Sequence, residues 1–285
     1  MPILETAAGR LSYFDNDCVE ADVPRLMLLH SGAASHRQWR SLIATLGRGW
    51  HIVAPDLIGH GETPMSDHGK PTLEEEVVRL TALLERMDGP VHLVGHSYGG
   101  AMALELARQQ PHRIASLAMY EPVAFGLLRD SSQRAAWHEI ALVAQRHIDL
   151  VASGDPRAAA IAFLDYWVGP GALLAMPAPM QAYVTGCMSA VASEFRGLLQ
   201  AGGAADAGLQ SLAMPVLLLC GSNTTLAVRG VIAELRRLLP AARYISLAGA
   251  THMAPLLQSD LVNPLLADFL DIAVQITKRG LRRAG

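Results

Sequence analysis

Short apolar runs alternate along this chain with longer stretches whose apolar residues recur at helical spacing. Ile3-Leu4-Glu5-Thr6 and Leu11-Ser12-Tyr13-Phe14 flank Ala7-Ala8-Gly9-Arg10, which predicts a hairpin over residues 3–15. Leu26-Met27-Leu28-Leu29-His30 and His51-Ile52-Val53-Ala54-Pro55 are unbroken apolar runs of strand length, the pattern of strands covered on both faces. A helical pattern runs from about Arg37 to Leu46 between them. A second covers residues 73–87, with Leu73, Val77, Leu80, Leu83 and Leu84 on one side. Val91-His92-Leu93-Val94 predicts a strand, the helix around Ala101–Ala107 stops near Pro111, and Ile114–Tyr120 predicts a further strand. The rhythm returns late in the chain. Strand Val216–Cys220 is followed by a helix from about Val228 to Leu239, strand Arg243–Leu247, and a last helix from about Asp260 to Ile276.

Strands that alternate with helices imply an α/β protein with a parallel sheet and helices on both faces. Between Tyr120 and about Leu212 the alternation stops, and the segment is helical in pattern and rich in Ala, Leu and Met. It is too long for a connection within a sheet. The expected organisation is a core of residues 1–122 and 213–285 with a helical cap of residues 123–212. The cap is expected over the strand ends, where open α/β sheets bind ligands.

Composition narrows the class. The chain has 285 residues, 51% of them hydrophobic and 17% charged, which fits a packed globular protein. A net charge of −3 gives no field that would attract nucleic acid, so none is expected as a partner. The one basic cluster, Lys278, Arg279, Arg282 and Arg283, reads as a solvated, frayed end. Cys18, Cys187 and Cys220 match no disulfide or metal spacing, and Cys220 reads as a small buried hydrophobe in a strand. The N-terminus lacks the pattern of a signal peptide and no apolar run reaches membrane-spanning length. The expectation is a soluble cytoplasmic protein without a membrane partner. No metal spacing, G-x-G-x-x-G or Walker loop is present, so neither metal nor cofactor is expected.

The candidate chemistry centres on Gly95-His96-Ser97-Tyr98-Gly99-Gly100, between the strand at residue 91 and the helix after it. Strand, sharp turn and helix is the context in which G-x-S-x-G lifts a serine hydroxyl above a sheet. Gly95 and Gly99 leave room for the strained turn, and Gly100 is expected to let the helix approach the strand. The first amides of that helix aim at the same point, where negative charge is stabilised.

With His30-Ser31-Gly32, Pro55-Asp56-Leu57-Ile58-Gly59-His60-Gly61 and Gly249-Ala250-Thr251-His252-Met253 in the same order and spacing, the chain resembles the α/β-hydrolase fold family over nearly its full length. The resemblance implies a mostly parallel eight-stranded sheet with a helical cap after the sixth strand. It implies Ser97 as nucleophile and His252, on the loop after the last strand, as the base that serine needs. It also implies an oxyanion hole made by the backbone N–H groups of Tyr98 and Gly32, with Ala33 the next candidate. His30 and His96 read as residues that hold these loops, and Asp56 as a loop organiser.

The third catalytic member departs from the family pattern. The acid is usual on the loop after the seventh strand, but that loop reads Gly221-Ser222-Asn223-Thr224-Thr225-Leu226, with Thr224 at the expected position. Some relatives, certain haloalkane dehalogenases among them, carry the acid after the sixth strand. Here that strand ends in Glu121-Pro122, one helix and one strand beyond Ser97. Glu121 is therefore the candidate acid, the alternative being a glutamate that merely solvates a strand end.

Phe125, Leu128, Trp137, Trp167 and Met180 are candidate pocket residues, with Leu127, Met176, Tyr183 and Met188 beside them. Gly169-Pro170-Gly171 and Pro177-Ala178-Pro179 divide the cap into pieces that could hinge. No arginine cluster is evident there to hold an acid, so the expected substrate is a small-to-medium, mainly apolar carboxylic ester or lactone cleaved through an acyl-enzyme. A C–C bond hydrolase, an acyltransferase, and a non-catalytic ligand-binding or receptor protein remain alternatives, since fold alone does not decide function.

Overall fold

The structure, a computed structural model, describes residues 1–18, 20, 23–66, 71–201 and 208–284. Strands β1 (Ile3–Thr6), β2 (Gly9–Asp15), β3 (Arg25–Leu29), β4 (His51–Pro55), β5 (Val91–His96), β6 (Ile114–Tyr120), β7 (Val216–Asn223) and β8 (Arg243–Thr251) form one eight-stranded sheet. Their order is β1-β2-β4-β3-β5-β6-β7-β8. Strand β2 runs antiparallel to both of its neighbours, and every other pairing is parallel.

The unbroken apolar strands follow from helices on both faces. Along β3, Met27 and Leu29 join one apolar cluster while Leu26 and Leu28 join the other, because successive side chains point to opposite sides. One face is covered by α1 (Arg40–Leu46), which contributes Leu42, and by the C-terminal helix, which contributes Val262, Leu266, Phe269 and Leu270. The other face packs against α2 (Leu73–Arg86) and α3 (Tyr98–Gln109). Helix α2 starts after Thr72 because that hydroxyl accepts the Glu75 amide while the Glu75 carboxylate accepts the Thr72 amide.

Between β6 and β7 the chain forms helices and turns and no strand among the described residues. These helices are α4 (Arg134–Ala152), α5 (Pro156–Trp167), α6 (Ala172–Ala175), α7 (Ala178–Gly186) and α8 (Met188–Gln200). Their buried residues, such as Ile140, Leu164, Val184 and Phe195, belong to the same apolar cluster as Leu29 and Leu93 of the sheet. The inserted helices thus share a core with one face of the sheet. Breaks fall at Gly169 and Gly171, both at positive φ, and at Pro177, the N-cap of α7.

After β7 come α9 (Leu226–Leu238), α10 (Ala254–Leu257) and α11 (Ser259–Ala284). Several elements are longer than their sequence patterns. Strands β7 and β8 continue past Cys220 and Leu247, across a register shift between Gly221 and Asn223, to pair Asn223 with Thr251. Helix α11 continues to Ala284. Of the basic tail, the side chains of Arg279, Arg282 and Arg283 lie outside the described residues. No helix among the described residues is long and apolar enough to cross a membrane.

Candidate active site

Four neighbouring strands end at one edge, and the first residue past each is a site residue. Ser97 follows β5, Glu121 follows β6, Thr224 follows β7 and His252 follows β8. Register makes this so: His96 pairs with Tyr120, and Asn223 with Thr251.

Ser97 sits at φ 55, ψ −117, a conformation that a side chain adopts only under constraint. Its amide bonds the Tyr120 carbonyl, and its carbonyl accepts the amides of Ala101 and Val123. The turn closes this tightly because Gly95 and Gly99 have no side chains. A Cβ on Gly95 would lie 2.4 Å from the Gly99 carbonyl oxygen, and one on Gly99 would lie 2.3 Å from that of Leu29. A Cβ on Gly100 would meet Pro122 at 3.0 Å and the Gly95 carbonyl oxygen at 3.4 Å, so Gly100 eases the approach both to the segment after β6 and to the strand that precedes it.

Glu121 is likewise strained, at φ 43, and fully buried. Its Oε2 lies 2.7 Å from Nδ1 of His252 and accepts the Thr224 hydroxyl at 2.7 Å. Its Oε1 accepts the Gly221 amide at 2.7 Å, with the Cys220 thiol at 3.7 Å. A carboxylate that meets only donors is an acceptor throughout, so Nδ1 of His252 carries the proton. Nε2 is then the free lone pair, and it stands 3.0 Å from Ser97 Oγ. The indole of Trp167 stacks on the imidazole at 4.0 Å between ring centroids. The His252 carbonyl accepts His96 Nε2–H at 2.8 Å, and the Thr251 carbonyl accepts the Tyr120 hydroxyl at 2.7 Å.

The loops after β3 and β4 are held together by buried histidines. His30 donates from Nδ1 to the Ser31 carbonyl and accepts the Leu57 amide at Nε2. His60 donates from Nδ1 to the Ile58 carbonyl and accepts the Ala33 amide at Nε2. Burial pushes their pKa values down to about 4 and about 3, so both are neutral structural groups. The Ala33 amide is thereby occupied, while Gly32 lines the cavity at Ser97. The Tyr98 amide is at the first position of α3, where no carbonyl of the helix can meet it. Asp56 accepts the amides of His36 and Glu62 and contacts the His36 ring, which ties three loop segments together.

The cavity at Ser97 has a volume of about 20 Å³, and Gly32, Tyr98, Phe125 and Trp167 line it. Leu128, Trp137 and Met180 do not. Leu128 packs towards Gly230 of α9, Trp137 lies under the Arg129 guanidinium, and Met180 is 49% exposed. The lining that the sequence reading missed comes from Val123, Phe163 and the α8 residues Val191, Glu194, Phe195 and Leu198. The signal was in α8: residues 191, 194, 195 and 198 are one helical stripe, apolar except for Glu194. Larger hollows, of about 320 and 390 Å³, do not reach Ser97.

An eight-stranded sheet with these four loops at one edge defines a class of protein. Residues 24–258 match the family model described as the alpha/beta hydrolase fold, and the chain belongs to that family. Among curated relatives, it is 39% identical over 99 residues to Lipase LipV of Mycobacterium tuberculosis, a match that spans 34% of this chain and 37% of that protein. It is 31% identical over 151 residues to the pimeloyl-[acyl-carrier protein] methyl ester esterase of Aromatoleum aromaticum, across 47% of this chain and 58% of that one. The chain thus spans little more than half of either relative's length at most. The fold is similar to that of the enol-lactonase from Burkholderia xenovorans LB400, with a TM-score of 0.77 and 20% identity over 95% of this chain and 100% of that one.

Proposed function

We propose that this protein is a serine hydrolase that cleaves a small neutral carboxylic ester or lactone through an acyl-enzyme. The observation that carries the reading is the unbroken chain of contacts from Ser97 Oγ to His252 Nε2, and from His252 Nδ1 to Glu121 Oε2. Relatives named as a lipase and a methyl ester esterase support it. The missing acid after β7 was the feature that favoured a non-catalytic binding protein. A carboxylate 2.7 Å from the far nitrogen of His252 supports the catalytic reading instead.

In this reading Nε2 of His252 takes the Ser97 proton as Oγ attacks the ester carbonyl carbon. The negative charge that develops on the carbonyl oxygen is met by the amides of Gly32 and Tyr98. Each such donor is worth about 3–4 kcal/mol of barrier in a dry site. The imidazolium passes its proton to the departing alcohol. Water, deprotonated by the same nitrogen, then releases the acid. Glu121 holds the imidazole in the required tautomer and stabilises its charged form.

The helices between β6 and β7 act as the cap. A volume of about 20 Å³ has room for about one water, so the cap must shift to admit an ester. Phe163 and Phe195 also line the hollow of about 390 Å³ beside His147, and their rotation would join the two spaces. Tyr183 of α7 pins the closed arrangement, since its hydroxyl donates to the Ala34 carbonyl and accepts the Gly61 amide.

The test is hydrolysis of p-nitrophenyl esters over a series of acyl lengths, together with mass-spectrometric mapping of a fluorophosphonate label. Turnover with the label on Ser97 is the expected result. A wild-type protein that hydrolyses no ester and takes no label would overturn the reading.

A further inference from the structure

The wall of the cavity that faces Ser97 contains a carboxyl group that nothing in the catalytic machinery uses. Glu194 is 8% exposed, on the apolar stripe of α8. Its Oε1 is buried without a hydrogen-bond partner. Nε2 of His60 lies 3.4 Å from Oε1 but already accepts the Ala33 amide. Among the described residues no cation is paired with it: its surroundings are the neutral His60, the Glu76 carboxyl of α2, the Tyr98 hydroxyl of α3, and the Cys187 thiol at the start of its own helix. Burial and the neighbouring Glu76 hold the group protonated well beyond the usual carboxylate range. Its Oε2 occupies the place where a side chain on Gly32 would be, 2.7 Å from that Cβ position. The carboxyl is therefore beside the loop amide proposed to bind the oxyanion, in the same small cavity as Ser97.

A buried acid without partners destabilises a fold, and a leucine or methionine would complete the stripe that Val191, Phe195 and Leu198 begin. We propose that Glu194 sets substrate specificity as the hydrogen-bonding partner of a neutral hydroxyl carried within a few bonds of the scissile carbonyl. A carboxylic acid can both donate to and accept from a hydroxyl, so the pair is satisfied in both directions. A carboxylate on the substrate would have to lose its water among Val191, Phe163 and Phe195 for a single hydrogen bond from the acid. An ammonium would need an ion pair formed among Val191, Phe163 and Phe195, with both charges desolvated. The inference rests on the hydrolase reading only for where the ester carbonyl sits.

Ser97→Ala protein, titrated calorimetrically, gives binding without turnover. The ligands are ethyl butyrate, its α- and β-hydroxy derivatives, the matching methyl-branched esters as shape controls, and the β-amino ester. One hydroxy ester is expected to bind about tenfold more tightly than its methyl-branched control. Glu194→Gln, which keeps a donor and an acceptor, retains most of that ratio, and Glu194→Met brings it to about one. The same ratio in kcat/KM is read with Ser97 present. A ratio that survives in Glu194→Met, a preference for the amino ester, equal affinity for hydroxy and methyl esters, or no measurable binding of any ester overturns the proposal. A Glu194-dependent binding ratio without turnover would sink the hydrolase reading and leave this inference standing. Turnover without a ratio would do the reverse.

Discussion

Glu121 and Glu194 are both buried glutamates at the same catalytic edge, and they differ in every neighbour. Around Glu121 the imidazole, a hydroxyl, a backbone amide and a thiol all converge on the carboxylate. Around Glu194 no group donates a hydrogen bond to Oε1, and no cation is paired with it among the described residues. One side chain is held by a strand end, at a strained φ of 43 that over-determines its direction. The other rides on a helix whose remaining buried positions are apolar except for Ser193. What a carboxyl does is therefore set by the donors the fold brings to it. The first arrangement suits a fixed charge that orients a histidine, and the second a neutral group that waits for a ligand.

The largest effects should come from breaking the first arrangement. Ser97→Ala should lower kcat by about 10⁶-fold, as removal of the nucleophile does in other triads. Glu121→Gln should lower it by as much as ~10⁴-fold, because an amide can fix the wrong tautomer of His252. Steady-state kinetics on an activated ester check both. Near-wild-type rates in Glu121→Gln would remove Glu121 from the mechanism. A relocation experiment sharpens the point. The Thr224 hydroxyl and the His252 ring bond the same Glu121 oxygen, so an acid at position 224 can face that ring. Adding Thr224→Asp to Glu121→Gln should recover at least about tenfold of the lost kcat.

The two glutamates were not equally legible in the sequence. The fold could be read because strands buried on both faces are apolar without interruption, and a break of that rhythm marks an insertion. Ser97 stood out because sterics restrict its neighbours to glycine, which leaves a trace in residue type. Glu121 could be located because parallel strands end at one edge and a carboxylate was missing after β7. Thr224, read only as an absent acid, turns out to donate to Glu121, and nothing in the residue type announces that. Glu194 was hidden for the opposite reason. A single glutamate in a helix is ordinary, and only the rotation of α8 against α2 and the β3 loop shows that it points inward. Of the pocket candidates, Phe125 and Trp167 reach the cavity while Leu128, Trp137 and Met180 do not, because apolar residues at helical spacing serve the core and the pocket alike.

A smaller effect isolates the hydrogen bond that Thr224 makes to the Glu121 carboxylate. Thr224→Val keeps the shape and removes one charge-assisted donor, which should lower kcat about tenfold. Thr224→Ser should restore it. Equal rates in Val and Ser variants would show that the imidazole alone holds Glu121 in place.

The smallest effect concerns stability and is read at Glu194. Burial, then the Glu76 charge, raises the Glu194 pKa in the folded protein well above its ordinary value of 4.5. The folded state then holds a proton that the unfolded chain releases, so the stability contributed by the neutral group is fully present below about pH 4.5. It is lost as pH rises from there through the raised folded-state value. Glu194→Gln has no such proton to lose. Its advantage over wild type should be small in acid and should grow by about 1.4 kcal/mol per pH unit between about pH 4.5 and the raised folded-state value. Urea melts of both proteins across that range measure the difference directly. A gain that does not change with pH would mean that Glu194 is already ionised in the folded state. The contrast with Glu121 would then lie in partners alone and not in charge.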